Sequence, residues 1–388
     1  MPFPRRGFDE SEFRARLARA QAAMAAEGVS ALLISTEAEL RYFSGFLTRF
    51  WESPTRPWFL VVPGAGDPVA VIPTIGVPLM ARGWICDIRS WRAPQPGDDG
   101  ISLLLSTLCE LVPAGGRIAM PSGPGTQMRL PLEDFRMLEQ GLAAEGRGLG
   151  GDGGLVSGLR LIKSEAEIDK IAQACAIGCW SFDRVGEFAE EGVALDEVFR
   201  GFQRLCLQEG ADWVPYLAGA AGPGGYDDVI SPATEQRLAP GDVLMLDAGL
   251  MWDGYFCDFN RNYAIGRPDP AVAEGHAALV EACAAAFAIA RPGIPVSDLY
   301  HAMDRIVTGG RGSTDAGRLG HGLGMQLTEA PSLIPGEDRL LEPGMVLTLE
   351  PGIVLPSGKT LVHEEDIVIR ADGSEWLTEP AGPQIIVL

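Results

Sequence analysis

Basic residues are scarce in this chain. Its 388 residues include 31 lysines and arginines against 52 acidic residues, which gives a net charge of −21 at pH 7. Nucleic-acid binding depends on Lys and Arg side chains that neutralise phosphates. The composition therefore argues against a nucleic-acid partner.

Signals for membranes and disulfides are also absent. No run of about 18 apolar residues is present, which predicts that the chain does not span a membrane. The segment Met1–Arg6 leads into charged amphipathic sequence and lacks the apolar stretch of a signal peptide. The seven cysteines are odd in number, scattered and without a C-x-x-C pair, which is typical of reduced thiols in the cytoplasm. We therefore expect a cytoplasmic protein.

The length exceeds that of a usual single core, which predicts two domains. The glycines at 146–154 suggest a linker, so we place the domains at 1–150 and 151–388. The periodicity predicts helices and strands without βαβ repeats, which indicates an α+β fold. The predicted helices are 9–27, 101–112, 131–142, 164–190, 194–209, 270–290 and 296–308, and the 164–190 helix opens with a capping box at Ser164–Glu167. The predicted strands are 29–35, 58–63, 68–73, 213–217, 242–250 and 255–265, with a glycine-rich loop at 219–225.

A hairpin near the end of the chain carries two carboxylates. An apolar stretch from Val346 meets Glu350, and a second apolar strand follows Glu365. If Ser357-Gly358 form a two-residue loop, Glu350 faces Glu365 across the ladder, with β-carbons about 5 Å apart. Two carboxylates this close resist ionising together unless a cation lies between them. The hairpin is therefore half of a candidate metal site.

A second hairpin carries Asp247 and Asp258. A loop at Trp252-Asp253 places these two directly opposite, and a loop at Asp253-Gly254 makes them diagonal neighbours. Both registers put the carboxylates on one face, because side chains alternate with a period of two. Aspartate is depleted in strands, and Asp247 interrupts an apolar run, so a ligand pair is favoured over a solvated face.

Only four histidines are available for chemistry: His276, His301, His321 and His363. Glycines flank His321 in the segment 319–324 and allow a close approach of the backbone. Carboxylates with one imidazole suit Mn²⁺, Fe²⁺, Co²⁺ or Zn²⁺. Five such ligands can hold two divalent ions and activate a bridging water.

The ligand order resembles that of the pita-bread metallopeptidases, the family of methionine aminopeptidase, aminopeptidase P, prolidase and creatinase. The resemblance covers the whole chain and includes the segments 40–46 and 159–167. It implies a creatinase-type α/β N-terminal domain, a pita-bread catalytic domain, a homodimer and two divalent ions, with Mn²⁺ first among the candidates. The metal ligands that it implies are Asp247, Asp258, His321, Glu350 and Glu365. Asp258 and Glu365 are the expected bridging ligands, and Glu350 and His321 are the expected catalytic residues, with Glu350 as the base.

Three positions depart from the family pattern. Val229 stands where family peptidases carry a histidine before the first Asp, and Thr328 stands at a second histidine position. An arginine two residues before the final ligand is replaced by His363. Losing a donor that stabilises a tetrahedral intermediate costs about 10²–10³ in rate. Asp227, Asp228, Thr328 and His363 are candidate replacement contacts, although the two aspartates and His363 fit an ordinary surface equally well.

Aromatic residues cluster between Phe50 and Trp58. They fit the core of the N-terminal domain. In creatinase-like dimers, however, this domain leans over the partner's active site, so Trp51, Arg56 and Trp58 are also candidates to line a substrate pocket. Aromatic faces there could hold an onium group.

The leading hypothesis is a dinuclear metal hydrolase of the Xaa-Pro aminopeptidase or dipeptidase type, which cleaves a C–N bond in a short peptide or small molecule. The first alternative is a non-peptide enzyme on the same scaffold, either a creatinase- or ectoine-hydrolase-like enzyme or a dimethylsulfoniopropionate lyase. The loss of both histidines favours it. The second alternative is an inactive binding protein, which the retention of all five ligands disfavours.

Overall fold

The computed structural model describes residues 3–53, 57–312 and 317–388. Its contacts divide the chain into two compact units. The N-terminal unit is Arg5–Arg160, and the C-terminal unit is Leu161–Leu388 with the described residues Phe3 and Pro4. This division lies beyond the position predicted from the glycines at 146–154.

The predicted glycine linker is wrong, because Gly148–Gly151 form a strand that pairs in parallel with Arg117–Met120. Glycine-rich composition suggests flexibility, but the backbone groups of these glycines are satisfied by the neighbouring strand. The strand therefore completes one edge of the N-terminal sheet.

The N-terminal unit is a mixed sheet with helices. Its helices are α1 Glu10–Glu27, α2 Glu37–Ser44, α3 Val77–Met80, α4 Ile101–Leu111, α5 Leu132–Ala144 and α6 Leu155–Leu161, with short 3₁₀ turns at Phe50–Glu52 and Thr74–Gly76. Its strands are β1 Ala31–Ile34, β2 Phe59–Pro63, β3 Val69–Pro73, β4 Asp87–Trp91, β5 Arg117–Met120 and β6 Gly148–Gly151.

The sheet has the order β4-β3-β2-β1-β5-β6. Strand β2 runs antiparallel to β1 and β3, and the other pairs are parallel. Leu33 and Val61 from the sheet pack with Leu104 of α4 and Leu138 of α5 in one core. This arrangement confirms the α/β N-terminal domain that the resemblance implies.

The C-terminal unit holds the remaining elements. Its helices are α7 Glu165–Asp183, α8 Leu195–Gln208, α9 Pro270–Ile289 and α10 Val296–Val307, with a 3₁₀ turn at Val185–Glu187. Its strands are β7 Trp213–Pro223, β8 Asp242–Trp252, β9 Tyr255–Phe256, β10 Phe259–Ala264, β11 Gly320–Gly322, β12 Glu329–Ser332, β13 Val346–Leu349, β14 Gly352–Val354, β15 Thr360–Val362, β16 Glu365–Arg370, β17 Gly373–Trp376 and β18 Ile386–Val387.

Two sheets organise this unit, and their strand pairs are antiparallel except for the parallel pair of β10 and β18. The first has the order β18-β10-β8-β7, with β9 paired to β8, and the second has the order β12-β11-β13-β16-β17. Met303 of α10 packs with Leu347 and Ile367 of the second sheet in one core. Together with the mixed N-terminal unit, these sheets confirm the α+β class.

The predicted capping box opens α7. The Ser164 hydroxyl accepts a hydrogen bond from the Glu167 N–H, and the Glu167 carboxylate accepts one from the Ser164 N–H. This exchange satisfies two backbone donors at the start of the helix. Helix α7 then packs against β8, the strand that carries Asp247.

The predicted glycine-rich loop is mostly a strand, since β7 continues through to Pro223. A β-carbon on Gly219 would lie 2.5 Å from the Met245 carbonyl oxygen. Glycine at this position therefore permits close pairing of β7 with β8 rather than a loop.

Helix α9 is the one described helix whose length and apolar character match those of a membrane span. Val272, Leu279, Ala282 and Ala286 on this helix are nonetheless buried inside the unit. Core helices commonly share this composition, and α9 packs beside α10.

Candidate metal centre

The first ligand hairpin has a two-residue turn at Asp253-Gly254, which is the second of the two predicted registers. Asp247 pairs with Asn260, and Trp252 pairs with Tyr255. Asp253 and Gly254 both have positive φ, 48° and 81°, as a type I′ turn requires. Asp258 follows β9 and lies diagonally across from Asp247.

The second ligand hairpin corrects the predicted register by one residue. Leu349 pairs with Glu365, and Gly352 pairs with Val362. The loop is therefore Pro356–Gly358, closed by a hydrogen bond from the Leu355 N–H to the Lys359 carbonyl. Gly358 has φ 83°, the left-handed position of three-residue hairpin loops. As a result, Glu350 lies opposite Glu364 rather than Glu365.

Strand β11 brings His321 into the centre. His321 pairs with Thr348, and its Nδ1 donates a hydrogen bond to the Gly322 carbonyl at 2.8 Å. A carbonyl only accepts, so this bond places the proton on Nδ1. The Nε2 atom faces the acids, 3.3 Å from an Asp258 oxygen and 3.7 Å from a Glu350 oxygen. It is therefore presented as a ligand.

Glu364 completes the cluster. Oxygen atoms of Asp247, Asp258 and Glu364 all lie within 4.8 Å of one another, and all three residues are buried. The side chain of Glu350 is 17% exposed, which makes it the most open of the acids. Glu350 is therefore the acid of this group that is most accessible from outside the centre.

The charges of the four acids are poorly balanced by protein groups. Burial, and then the Asp258 charge, raises the pKa of Asp247 to about 7. Burial raises the pKa of Asp258 and of Glu364 well above the usual range, and neighbouring acids add to both shifts. Burial also raises the pKa of Glu350, although His321 and Arg318 partly oppose it. The set therefore favours a cation that would keep all four acids ionised.

Two observations test whether metal ions fit. The Asp247 Oδ1 atom is buried and has no hydrogen-bond partner among the described residues, whereas its Oδ2 accepts a bond from the Tyr216 hydroxyl at 3.0 Å. Burial lowers the pKa of His321, which favours the neutral imidazole that binds metal. Carboxylate oxygens with one imidazole match the preferences of divalent transition metals. The residues Asp247, Asp258, His321, Glu350 and Glu364 therefore fit a metal centre.

Glu365 is not in this cluster, and its predicted role as a bridging ligand is wrong. Its carboxylate accepts hydrogen bonds from Arg261 at 3.1 Å, His363 at 3.0 Å, the Ala381 N–H at 2.8 Å and Thr378. Burial alone would raise its pKa, but Arg261 and the hydrogen bonds outweigh burial and lower the pKa to about 2. Both oxygens are occupied by donors, which leaves no lone pair directed at a metal ion.

His363 is also misassigned as a substrate contact. It is 1% exposed and donates through Nε2 to Glu365, on the side of the strand away from the acids. Its ring lies 5.9 Å from that of His276. Both histidines therefore belong to the interior behind the centre.

The predicted contacts Asp227, Asp228 and Thr328, and Val229 at the position of the missing family histidine, differ in exposure. Asp227 forms an exposed ion pair with Lys359, and Asp228 accepts hydrogen bonds from the backbone of the following turn. Thr328 is exposed, whereas Val229 is half-buried against the cluster that contains Tyr226 and Val243. Among the described residues, no hydrogen bond or ion pair connects any of these four with the acids.

Trp51 and Trp58 lie in the N-terminal unit and are 6% and 1% exposed. Their rings pack 6.0 Å apart, and Phe46 and Phe50 surround Trp58. The core alternative that the sequence left open therefore describes both indoles. Arg56 lies outside the described residues.

Three residues of the centre were missed. The adjacent acids Glu364 and Glu365 both fit the final ligand position, and a three-residue loop ending in Gly358 was the signal for Glu364. Tyr216 lies on β7, and nothing in the sequence of that strand indicates that its hydroxyl donates to Asp247 on β8. Arg318, whose Nε lies 3.2 Å from a Glu350 oxygen, stands three residues before His321 and could have been suspected from that spacing.

The site and fold agree with the pita-bread metallopeptidases, and sequence comparison shows that the chain belongs to them. Residues 169–371 match Metallopeptidase family M24, and residues 16–162 match the Creatinase/Prolidase N-terminal domain. The protein is thus a family M24 member, of the class of metal-dependent hydrolases.

Among its relatives is the probable dipeptidase PepE of Mycobacterium tuberculosis, which is 31% identical over 373 residues, 94% of this chain and 93% of the relative. The crystal structure of dipeptidase PepE from Mycobacterium ulcerans has a TM-score of 0.83 at 27% identity and covers 98% of this chain and 99% of that one. The prolidase from Thermococcus sibiricus has a TM-score of 0.85 at 24% identity over 97% and 99% of the two chains, and so shows the shared fold.

Proposed function

We propose that this protein is a dinuclear metal-dependent dipeptidase of the prolidase type, which hydrolyses an amide bond in a short peptide. The observation that carries the proposal is the buried cluster of Asp247, Asp258 and Glu364 beside His321 and Glu350. Whole-length similarity to proteins named as dipeptidases supports the substrate class.

Divalent ions held by these five residues would supply Lewis-acid chemistry, polarising a carbonyl and acidifying water. Glu350 is placed to accept the proton of the attacking water and to return it to the leaving amine, since its carboxylate is the most open of the four. Arg318 partly neutralises Glu350 through its 3.2 Å contact. The half-buried Tyr216 hydroxyl donates to buried Asp247 and so holds one wall of the centre.

We further propose Mn²⁺ as the metal, a cytoplasmic location and a homodimer. All seven cysteines are unpaired and five are buried, which supports a reducing compartment. The carboxylate-rich ligand set supports Mn²⁺. Metal analysis of protein purified from its host and sedimentation in solution test the metal and the oligomer.

A non-peptide reaction on the same scaffold is the second candidate. Val229 and Thr328 favour it, because neither supplies the imidazole donor expected at these positions in family peptidases. The natural substrate would then be a small C–N compound or a dimethylsulfonio acid.

One assay separates the candidates. The EDTA-treated protein is reloaded with Mn²⁺ and given Xaa-Pro dipeptides, other dipeptides and tripeptides beside creatine, ectoine and dimethylsulfoniopropionate. We expect metal-dependent hydrolysis of dipeptides. Turnover of a non-peptide compound alone would support the second candidate, and full activity without metal would contradict both.

A further inference from the structure

Asp366 is a fully buried carboxylate beside the metal centre but outside its ligand set. It lies in β16 two residues after Glu364, so both side chains project to the same side of the strand. Its Oδ2 accepts a hydrogen bond from the Asp258 N–H at 2.9 Å and one from the Cys175 thiol at 3.4 Å. Asp366 therefore contacts the main chain of a predicted metal ligand.

The hydrogen bond to Asp258 joins the two sheets of the C-terminal unit. Asp258 lies between β9 and β10 of the first sheet, and Asp366 belongs to the second sheet. Asp366 also pairs across its own sheet with Thr348, which pairs in turn with His321. Asp366 thus links the backbone of Asp258, through its side chain, to the strand that follows Glu364, and that strand pairs through Thr348 with the strand of His321.

The surroundings of this carboxylate satisfy only one of its two oxygens. Asp366 is 0% exposed and forms no ion pair with the described residues, and its Oδ1 has no hydrogen-bond partner among them. The Oγ1 atom of Thr348, directly opposite, is likewise buried and unpartnered. Buried polar groups left in this state cost stability, so a role outside folding is indicated.

We propose that Asp366 is a positioning residue, which fixes the backbone of Asp258 relative to Glu364 and thereby sets the geometry of the metal ligands. The proposal rests on the metal centre of the proposed function. Residues that orient ligands typically change metal affinity by 10- to 100-fold when removed.

Two substitutions of Asp366 distinguish an effect on the geometry of the metal ligands from an effect on the stability of the fold. Asp366→Asn retains a carbonyl oxygen that can accept from the Asp258 N–H. Asp366→Val removes the acceptor, and its β-branched side chain suits a buried strand. Asp372→Ala, at the exposed turn that ends β16, is the matched control.

The readouts are Mn²⁺ affinity and stoichiometry by calorimetry, the Mn²⁺ electron paramagnetic resonance spectrum, and the melting temperature of the metal-free protein. We expect Asp366→Val to weaken Mn²⁺ binding by about 10- to 100-fold and to alter the spectrum, with little change in the metal-free melting temperature. Asp366→Asn should stay within about threefold of wild type, as should Asp372→Ala.

Wild-type affinity in Asp366→Val would overturn the proposal. A loss of affinity that parallels a large fall in the metal-free melting temperature would also overturn it, because the residue would then act on the fold. These readouts do not require a substrate. A wild-type protein that binds Mn²⁺ but cleaves no peptide would therefore defeat the peptidase assignment and leave the Asp366 result intact, and absence of Mn²⁺ binding would defeat both.

Discussion

Two neighbouring glutamates at the start of one strand lie in opposite environments. Glu364 faces Asp247, Asp258 and Glu350, where burial and like charges raise its pKa well above the usual range. Glu365 faces Arg261, whose positive charge helps to lower its pKa to about 2 against the effect of burial. We call these two sides of the strand the acid face and the arginine face.

The difference distinguishes a structural carboxylate from a candidate metal ligand by the donors that surround each. The carboxylate on the arginine face is saturated with donors supplied by the protein. The acids on the other face have few donors, and one Asp247 oxygen has none among the described residues. An acid cluster that the protein leaves uncompensated is a candidate cation site.

The largest expected contrast concerns metal binding. Glu364→Ala should abolish binding of at least one ion and lower kcat by about 10³-fold or more, because a ligand of the centre is removed. Metal content by mass spectrometry and steady-state kinetics measure both effects. Retention of two ions and of activity in this variant would show that the acid face is misassigned.

Glu365→Ala should act on stability instead. It leaves Arg261 buried without its partner, and breaking a buried ion pair from one side costs about 3–5 kcal/mol. Urea unfolding of the metal-free protein measures the loss, and Glu364→Ala serves as the comparison because it removes an acid without a cationic partner. Equal free energies of unfolding in the two variants would contradict the assignment of Glu365 to a stabilising ion pair and of Glu364 to the acid cluster.

The acid face also predicts a pH dependence. The pKa of Asp247 is raised from 3.8 to about 7 in the folded metal-free protein, so the stability that its bound proton gives is present below about pH 4 and is lost as pH rises through about 7. A metal ion replaces this proton. We therefore expect the rise in melting temperature on adding Mn²⁺ to be larger at pH 7.5 than at pH 5.5. This pH dependence should be smaller in Asp247→Asn. A rise independent of pH would contradict the shift.

Arg318 should have a smaller effect. Its guanidinium lowers the pKa of Glu350, against a larger rise caused by burial. Arg318→Met should therefore move the acidic limb of the kcat profile to higher pH, by less than about one unit, because Arg318 is partly exposed. An unchanged profile would mean that Glu350 is not the group that titrates.

The smallest effect is expected at the predicted contacts outside both faces. Asp227→Ala removes an exposed pair with Lys359, so kcat/KM should stay within about twofold of wild type. A tenfold fall would place this surface loop in the substrate site after all.

Sequence reasoning located the centre through strand alternation. Asp247 and Asp258 fall on one face in either hairpin register, so their pairing did not depend on the turn. In the second hairpin, the residue opposite Glu350 does depend on the turn. A two-residue loop places Glu365 there and a three-residue loop places Glu364 there, and the sequence Ser357-Gly358 is compatible with both. Arg261, which would have identified Glu365 as an ion-pair partner, is distant in sequence and gave no signal.

Substrate contacts were harder to predict from the sequence, because they too depend on the direction in which a side chain points. Trp51 and Trp58 have the same apolar character whether they line a pocket or fill a core, and only their burial separates the two. His363 was a candidate replacement contact because of its sequence position alone. Its actual partner, Glu365, depends on which side of the strand that glutamate faces.

The three-residue loop at Pro356–Gly358 has a consequence for how this hairpin can change. If the loop keeps its three residues, inserting one residue before it or deleting one residue after it would bring Glu365 opposite Glu350 in place of Glu364. Changes that add residues symmetrically to both strands would keep the two glutamates on their own sides. The hairpin can therefore become longer or shorter without exchanging the two glutamates only if both of its strands change by the same number of residues.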